Sequence, residues 1–464
     1  MDANEVDMRG QATRQLGAYI ADLRFDNLPT EVVAKAKVCV LDALGCCLFG
    51  NTLPWTRMVR EMVLDQGDAP QATILGTAYR TSASGAALVN STAGHGFELD
   101  DIHVAAHLHA GSLCVPVALA LCEWKNHADG REFLTAIVAG YEAGLRVGLA
   151  ATGSHFLRGY HFQGTCGVFA AAATAAHLLK LDAEQARHAL GIAGSQAAGL
   201  MAAQEGAMAK RLHSGRAAQS GVYGALLAAR GFTGIANVLE APYGGFLSSF
   251  TDTHCVENLT VGLGQQWEIL KVGYKPYASA ASTHSALDAL NALMREHTLE
   301  VHDIAEIVVD CSTMAHRHCA WRYVPQGVTS AQMSLYYTLA AMAFDGEVLT
   351  DQFRETRLAD PALLEFMERI RIDVEPRFDA GGDATRHRSR VMVATNDGRR
   401  FTREALYRKG SPENPMTEEE RHAKFRRLAT AALPPASIDK IVDAVESLEQ
   451  AANMRDLIDL LRQE

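Results

Sequence analysis

Much of the information in this 464-residue chain lies in what it lacks. It has no apolar run long enough to cross a bilayer; the Ala-rich stretch from Val168 to Leu179 is too short and carries polar interruptions. Met1 to Gly10 is polar and charged, without the apolar centre of a signal peptide. There is no excess of positive charge: 43 Lys and Arg stand against 54 Asp and Glu, a formal net charge of −11. That balance argues against non-specific nucleic-acid binding and against docking on an anionic membrane, though a local basic pocket for a small anion remains open. The nine cysteines form no CxxC pair. They are scattered, mostly inside apolar runs, with Cys46 and Cys47 adjacent, and read as reduced, buried thiols of a cytoplasmic protein. HExxH, internal repeats and low-complexity segments are all missing.

What remains is the composition of an ordinary globular protein, with 48% hydrophobic and 21% charged residues. The length implies two or three domains. The first 265 residues are mainly helical in pattern: Leu16, Ile20 and Leu23 share a face, as do Val33, Ala36, Val40, Leu44 and Leu48. Four further helical segments follow (Ser82 to His95, Val115 to Trp124, Arg131 to Leu149, Gly164 to Leu179), rich in Ala and Gly. Small residues allow close helix approach, so a compact bundle is expected. The pattern changes near Leu270. Ile304 to Cys311, Ile370 to Val374 and Ser389 to Thr395 read as strands. Asn396-Asp397-Gly398 reads as a hairpin turn leading to Arg399–Thr402. Helical stretches, including Ser282 to His297 and Ala331 to Phe344, accompany them, as in an α+β module. The last 48 residues return to helix, with caps expected at Thr417 and Ser437, and should pack back on the bundle. Arg408 to Pro415 is the clearest linker. The expected class is mainly α: an all-helical domain from residues 1–268 and 409–464, with an inserted, lid-like α+β domain over 269–408.

Four segments could carry chemistry. The first, HGFELDDIHVAAHLHAG, places Glu98, Asp100, Asp101, His95, His103, His107 and His109 within fifteen residues. Carboxylates beside imidazoles perturb each other's protonation and suit general acid–base chemistry near neutral pH. A solvated loop with incidental charges is the bland alternative. A metal site on His103, His107, His109 and Asp101 is another, without a recognised ligand spacing to support it. In the second segment His161 precedes an Ala-rich helix, where free N–H groups attract an anion; a capping or packing histidine explains it equally well. The third gathers Lys210, Arg211, His213 and Arg216 beside small, apolar residues. A surface patch is the common explanation, and recognition of a carboxylate by cations at the edge of a bundle is the other. The fourth, Gly273-Tyr274-Lys275-Pro276-Tyr277, falls at the change of pattern, where ligand sites often form.

Taken in order, these four segments resemble the MmgE/PrpD family. So do Leu41-Asp42-Ala43-Leu44-Gly45, Gly231-Phe232-Thr233-Gly234, Gly244-Gly245-Phe246, Ala331-Gln332-Met333-Ser334, Asp345-Gly346, Asn414-Pro415 and Lys424-Phe425. The resemblance spans nearly the whole chain. It implies a large helical domain with an inserted α+β domain, an active site in the cleft between them, homodimers, and catalysis without metal or organic cofactor. The family includes 2-methylcitrate dehydratases, cis-aconitate decarboxylases and iminodisuccinate epimerases. By the same resemblance His109, Asp100, Asp101, His161, Lys210, His213 and Lys275 match family site residues, and Tyr323 matches an active-site tyrosine. Glu98 stands where the dehydratases and decarboxylases usually carry Asp, Ile102 where they carry Thr, Ala110 and Arg211 where Pro is usual. Ala280 and His284 are the positions nearest a family histidine.

The chemistry so implied is proton abstraction next to a carboxylate, through an aci-carboxylate that cations would stabilise. His109 and His161 are the candidates for proton transfer, with Asp100 or Asp101 orienting an imidazole. Lys210, Lys275, His213 and Arg216 are assigned to substrate carboxylates or the developing charge. His103, Tyr323 and Glu98 complete the candidate binding set. The expected function is a cofactor-independent lyase on a small di- or tricarboxylic acid, foremost a 2-methylcitrate-dehydratase-like hydro-lyase. An epimerase, isomerase or decarboxylase is the alternative within enzymes, and a non-catalytic carboxylate-binding protein the alternative outside them.

Overall fold

The computed structural model describes residues 11–126, 128–382 and 385–463; the reading of Met1 to Gly10 lies outside them. The chain divides into two compact units. One comprises Met1–Ala202, Ala209–Val272 and Thr417–Glu464, the other Ala203–Met208 and Gly273–Met416. The divisions fall four residues beyond the expected 268/269 and eight beyond 408/409, and residues 203–208 group with the second unit, not with the expected 1–268. Residues 269–272 stay with the helical unit because Glu142 accepts from the Ile269 N–H at 3.0 Å and Lys35 donates to the Val272 carbonyl at 2.5 Å. Residues 408–410 stay with the other: Arg408 donates to the Tyr274 carbonyl at 3.1 Å, and the Lys409 N–H donates to Asp288 at 2.7 Å.

The first unit is a helical bundle. Its main helices are α1 (Ala12–Asp22), α2 (Thr30–Gly50), α3 (Pro54–Asp65), α4 (Ala83–Gly94), α5 (Gly111–Lys125), α6 (Gly130–Leu157), α7 (Gly167–Leu178), α8 (Ala183–Gly194) and α9 (Ala209–Ala228). A two-residue antiparallel pair, β1 (Ala72–Thr73) with β2 (Arg80–Thr81), leads into α4. Local signals set the helix starts: Ser82 accepts from the Gly85 N–H, Asp129 from the Glu132 N–H, and Asp182 forms a capping box with Gln185. Small residues then bring backbones together. A Cβ on Gly140 would lie 2.0 Å from Thr174 Oγ1, and one on Gly221 2.4 Å from the Ala171 Cβ. These glycines let α7 press against both α6 and α9, and side chains there would force the helices apart.

Helix α6 has the length and apolarity to cross a membrane, which the sequence reading did not register, but 94% of its apolar window is buried inside the protein. That is how a central core helix behaves. The C-terminal helices Glu418–Ala429 and Pro435–Glu446 belong to this unit, the first packing on α2 with Phe425 against Gly45. Thr417 caps the first of them as expected. Ser437 does not cap the second: Pro434 is the N-cap and Pro435, whose fixed φ suits a first helical position, starts the helix.

The second unit holds a four-stranded sheet in the order β4-β3-β5-β6: β3 is Ile304–Cys311, β4 Ile370–Val374, β5 Ser389–Thr395 and β6 Arg400–Ala405. Strand β3 is central, parallel to β4 and antiparallel to β5. The parallel pair requires the long helical crossover that separates its strands. Strands β5 and β6 form the hairpin marked by Asn396-Asp397-Gly398, where Gly398 takes a φ of 88° that favours glycine. Along β5 buried and half-buried residues alternate, and α10 (Ala281–Glu296) covers β5 and β6 while packing on α11 (Leu335–Asp345). The molecule is thus mainly α with a small sheet-containing unit.

Candidate active site

The acidic segment runs between the C-terminus of α4 and the N-terminus of α5 and is buried almost throughout. Its shape is irregular, with left-handed backbone at Glu98 (φ 57°) and His107 (φ 53°). Such conformations are uncommon for non-glycine residues and must be held by their surroundings. Three groups tie the segment down beside Glu98. Lys424 reaches in from the C-terminal helix Glu418–Ala429 to donate to the Leu99 carbonyl and to Asp42, both at 2.6 Å. Tyr141 on α6 donates to Asp101 at 2.6 Å, and the Gly111 N–H donates to the other oxygen at 3.1 Å. Burial raises the Asp101 carboxyl to about 7 against these two bonds. Asp101 therefore anchors the segment to α5 and α6.

Its neighbour Asp100 faces two imidazoles. His95 Nδ1 lies 2.7 Å from Oδ2, and His109 Nδ1 lies 3.3 Å from Oδ1. Burial opposes ionisation of Asp100, but the two imidazoles outweigh it and hold the carboxyl well below the usual range. Burial lowers His95 to about 3, more than Asp100 raises it, so His95 is neutral at physiological pH. The His95 ring lies 5.0 Å from that of His109 and 5.6 Å from that of His161. His161 in turn meets His213 on α9, Nδ1 to Nδ1, at 2.8 Å. Burial holds His161 well below its ordinary value, with Lys210 the next cause, and lowers His213 for the same two reasons. Two neutral imidazoles in contact through Nδ1 share one proton there, so they must be opposite tautomers.

Beside these rings, Glu98 Oε1 accepts from Lys210 Nζ and, at 2.5 Å, from Arg211 on α9. All three side chains are at most 7% exposed. Two departures from the family pattern thus meet in one ion triad: glutamate at 98 and arginine at 211 are bonded to each other. Two buried cations thus share one carboxylate.

Gln163 holds the cluster together. Its Oε1 accepts from the His109 N–H at 3.1 Å, and the two hydrogens on its Nε2 are shared among the His109 carbonyl at 3.1 Å and the Ser112 and Ser214 hydroxyls at 2.9 Å each. Sequence reading missed Gln163 and Tyr141. Nothing local marks either as special, since their partners lie 54 and 40 residues away.

Some candidates are engaged elsewhere. His103 accepts from the Ala106 N–H at Nδ1, within a local turn, and meets Glu268 through Nε2 at 3.2 Å, so both nitrogens are engaged. Burial opposes ionisation of Glu268, but the bonds from His103 and Lys271 bring it down to about 2. His107 stacks on Phe162. Arg216 is exposed and donates to Gln219 on its own helix. Lys275 is buried in the second unit, and Tyr323 there donates to the Leu358 carbonyl at 3.0 Å, its hydroxyl pushed up to about 12 by burial. In this segment the donors whose ligand atoms converge, within 4.8 Å, are His95, Asp100 and His109; of the set considered from sequence (His103, His107, His109 and Asp101) only His109 is among them. They could hold a metal ion; as they stand, Asp100 already serves both rings.

Family models match most of the chain: the MmgE/PrpD N-terminal domain over residues 14–257 and the MmgE/PrpD C-terminal domain over residues 277–450. The chain belongs to the MmgE/PrpD family. It is similar end to end to curated members. A cis-aconitate decarboxylase-like protein of Aspergillus oryzae is 32% identical, with 99% of each chain covered. A cis-aconitate decarboxylase of Aspergillus terreus is 30% identical over 97% of this chain and 95% of its own. The cis-aconitate decarboxylase of Homo sapiens is 27% identical over 97% and 94%. At the level of the family, the chain is a lyase-type enzyme for small carboxylic acids.

Proposed function

We propose that this MmgE/PrpD enzyme is a cofactor-independent lyase acting on a small tricarboxylic acid, and that loss of carbon dioxide is its reaction. The observation that carries the reading is the juxtaposition of acid–base groups with cations: Asp100, His95, His109, His161 and His213 beside the buried Lys210–Glu98–Arg211 triad. End-to-end similarity to cis-aconitate decarboxylases favours decarboxylation over the dehydration expected from sequence.

The chemistry follows from the charges. The two cations of the triad suit a substrate carboxylate in a water-poor setting, where ion pairing is strong. An unsaturated tricarboxylate loses carbon dioxide when an imidazolium delivers a proton to one alkene carbon. The electrons of the breaking C–C bond become the new C=C bond, and the leaving carboxylate departs as neutral CO2. His109 suits delivery because its Nδ1 faces the Asp100 carboxylate at 3.3 Å, which orients the ring. The neutral His161–His213 pair suits proton transfer because shifting one shared proton changes which outer nitrogen is acidic.

The test is incubation of the purified chain with cis-aconitate, citrate and 2-methylcitrate in deuterated water, followed by NMR. The expected result is CO2 release from cis-aconitate with one deuteron on a former alkene carbon. Water loss from 2-methylcitrate alone would replace decarboxylation by dehydration. Neither turnover nor exchange with any of the three would overturn the lyase reading.

A further inference from the structure

We propose that Arg211 is a positioning residue that makes Lys210 available to the substrate: as a carboxylate of the acid arrives, Lys210 leaves Glu98 for it, and Arg211 keeps Glu98 paired. The inference rests on the lyase reading and deepens it at the same site.

Lys210 and Arg211 are consecutive on α9, so their side chains leave the helix about 100° apart. They meet again at one atom, Glu98 Oε1, which accepts from both. Their other neighbours differ. Three and four residues on from Lys210 come His213 and Ser214, which share its face of the helix. His213 meets His161, and Ser214 accepts from Gln163. After burial, the Lys210 charge is also the next cause that lowers His161 and His213. Lys210 therefore faces the acid–base groups. Arg211 turns instead to the backbone of the acidic segment, with Nη1 3.5 Å from the His95 carbonyl. The lysine side chain keeps 7% exposure and the arginine 1%, so the lysine is the cation a ligand can reach.

A lysine that was the sole cation on Glu98 would be hard to recruit. Moving it to a substrate would strand an ionised carboxylate in a buried place, which is strongly unfavourable. Glu98 cannot follow, because its backbone is held in the left-handed region and its side chain is enclosed. A second cation on the same oxygen removes that obstacle. Arginine suits the stationary part: its planar guanidinium is pre-organised for a carboxylate, whereas the lysine ammonium rides on a flexible four-carbon stem. The exchange trades one ion pair for another and leaves every carboxylate with a cation.

Three variants and one structure test this. In Arg211→Leu the departure of Lys210 strands Glu98, so KM for cis-aconitate should rise by ~10–100-fold, the effect on binding of leaving a buried group unsatisfied. Turnover at saturation should change little, as when an interaction equal in ground and transition states is lost. Arg211→Lys restores a cation and should recover most of the affinity. In Glu98→Gln no carboxylate is stranded, so adding Arg211→Leu to it should move KM by no more than about twofold, the scatter of such cycles. Wild-type KM in Arg211→Leu would overturn the proposal. So would the same rise in KM with and without Glu98→Gln, the mark of a structural role. Should the variants not fold, a crystal structure of the unmodified chain with tricarballylate decides, since this saturated tricarboxylate has no double bond to react. Lys210 should stand on a ligand carboxylate with Arg211 still on Glu98. Lys210 remaining on Glu98, or Arg211 moved to the ligand, would refute the exchange. If no acid is bound or turned over, the lyase reading fails and takes the exchange with it; turnover of cis-aconitate with Lys210 left on Glu98 strikes the exchange alone.

Discussion

Glu98→Gln isolates one electrostatic feature. The substitution keeps side-chain size and shape, and the left-handed backbone at position 98 is as accessible to Gln as to Glu. What it removes is the only negative charge in the triad, leaving Lys210 and Arg211 close together with an amide oxygen as their common acceptor. Exposed ion pairs are worth ~0–1 kcal/mol because water replaces the lost partner. Here side-chain exposures of 4%, 7% and 1% leave little water to do so. Removing one partner of a buried pair costs ~3–5 kcal/mol, and with two cations sharing the carboxylate the upper part of that range is expected. Equilibrium urea denaturation followed by circular dichroism measures the loss. Sulfate, which can replace the missing anion, should stabilise Glu98→Gln more than it stabilises wild type. A loss below ~1 kcal/mol, the range of surface pairs, would refute the claim that the triad is an electrostatic unit shielded from water.

Two further changes test its surroundings. Asp101 has a folded value of about 7, above its ordinary 3.8, so its stabilisation is complete at acid pH and fades as pH rises toward 7. Asp101→Asn has no proton to lose and should gain on wild type as pH rises across that interval; urea midpoints whose difference stays constant would contradict this. Gln163→Leu leaves the His109 N–H without its partner and the His109 carbonyl with Ser112 alone, and should cost ~1–3 kcal/mol, with turnover falling further than stability; a variant of unchanged turnover would remove Gln163 from the site's support.

How far the chain could be read in advance depended on distance along it. The acidic segment stood out because its partners are close in sequence: Asp100 meets His95 and His109, all within one loop. Helices were legible from periodicity, and their close packing from Ala and Gly. Tyr141, Gln163 and Lys424 were not legible as site supports, because a tyrosine, a glutamine and a lysine carry no mark of where the fold will send them. Arg216 could have been set aside from geometry alone. Six residues on, it lies about 240° around the helix from Lys210, whereas Ser214 lies about 40° from it. His103 misled for the opposite reason. Its composition matched the cluster, but its two nitrogens were already claimed by a tight turn and by Glu268. The pairing of Glu98 with Arg211 shows what single positions hide: each reads as a loss of family pattern alone, and together they make one contact.

The bond from Lys424 to the Leu99 carbonyl joins residues 325 positions apart. On the ribosome, a loop made early must therefore wait for a helix made late. Until Lys424 emerges, Asp42 has lost its cation and the strained backbone beside Asp100 lacks one of its three ties. The nascent chain can build its bundle helix by helix, but the acid–histidine cluster becomes geometrically complete only once residue 424 has been made. Such an order would keep a polypeptide still being made from beginning its chemistry.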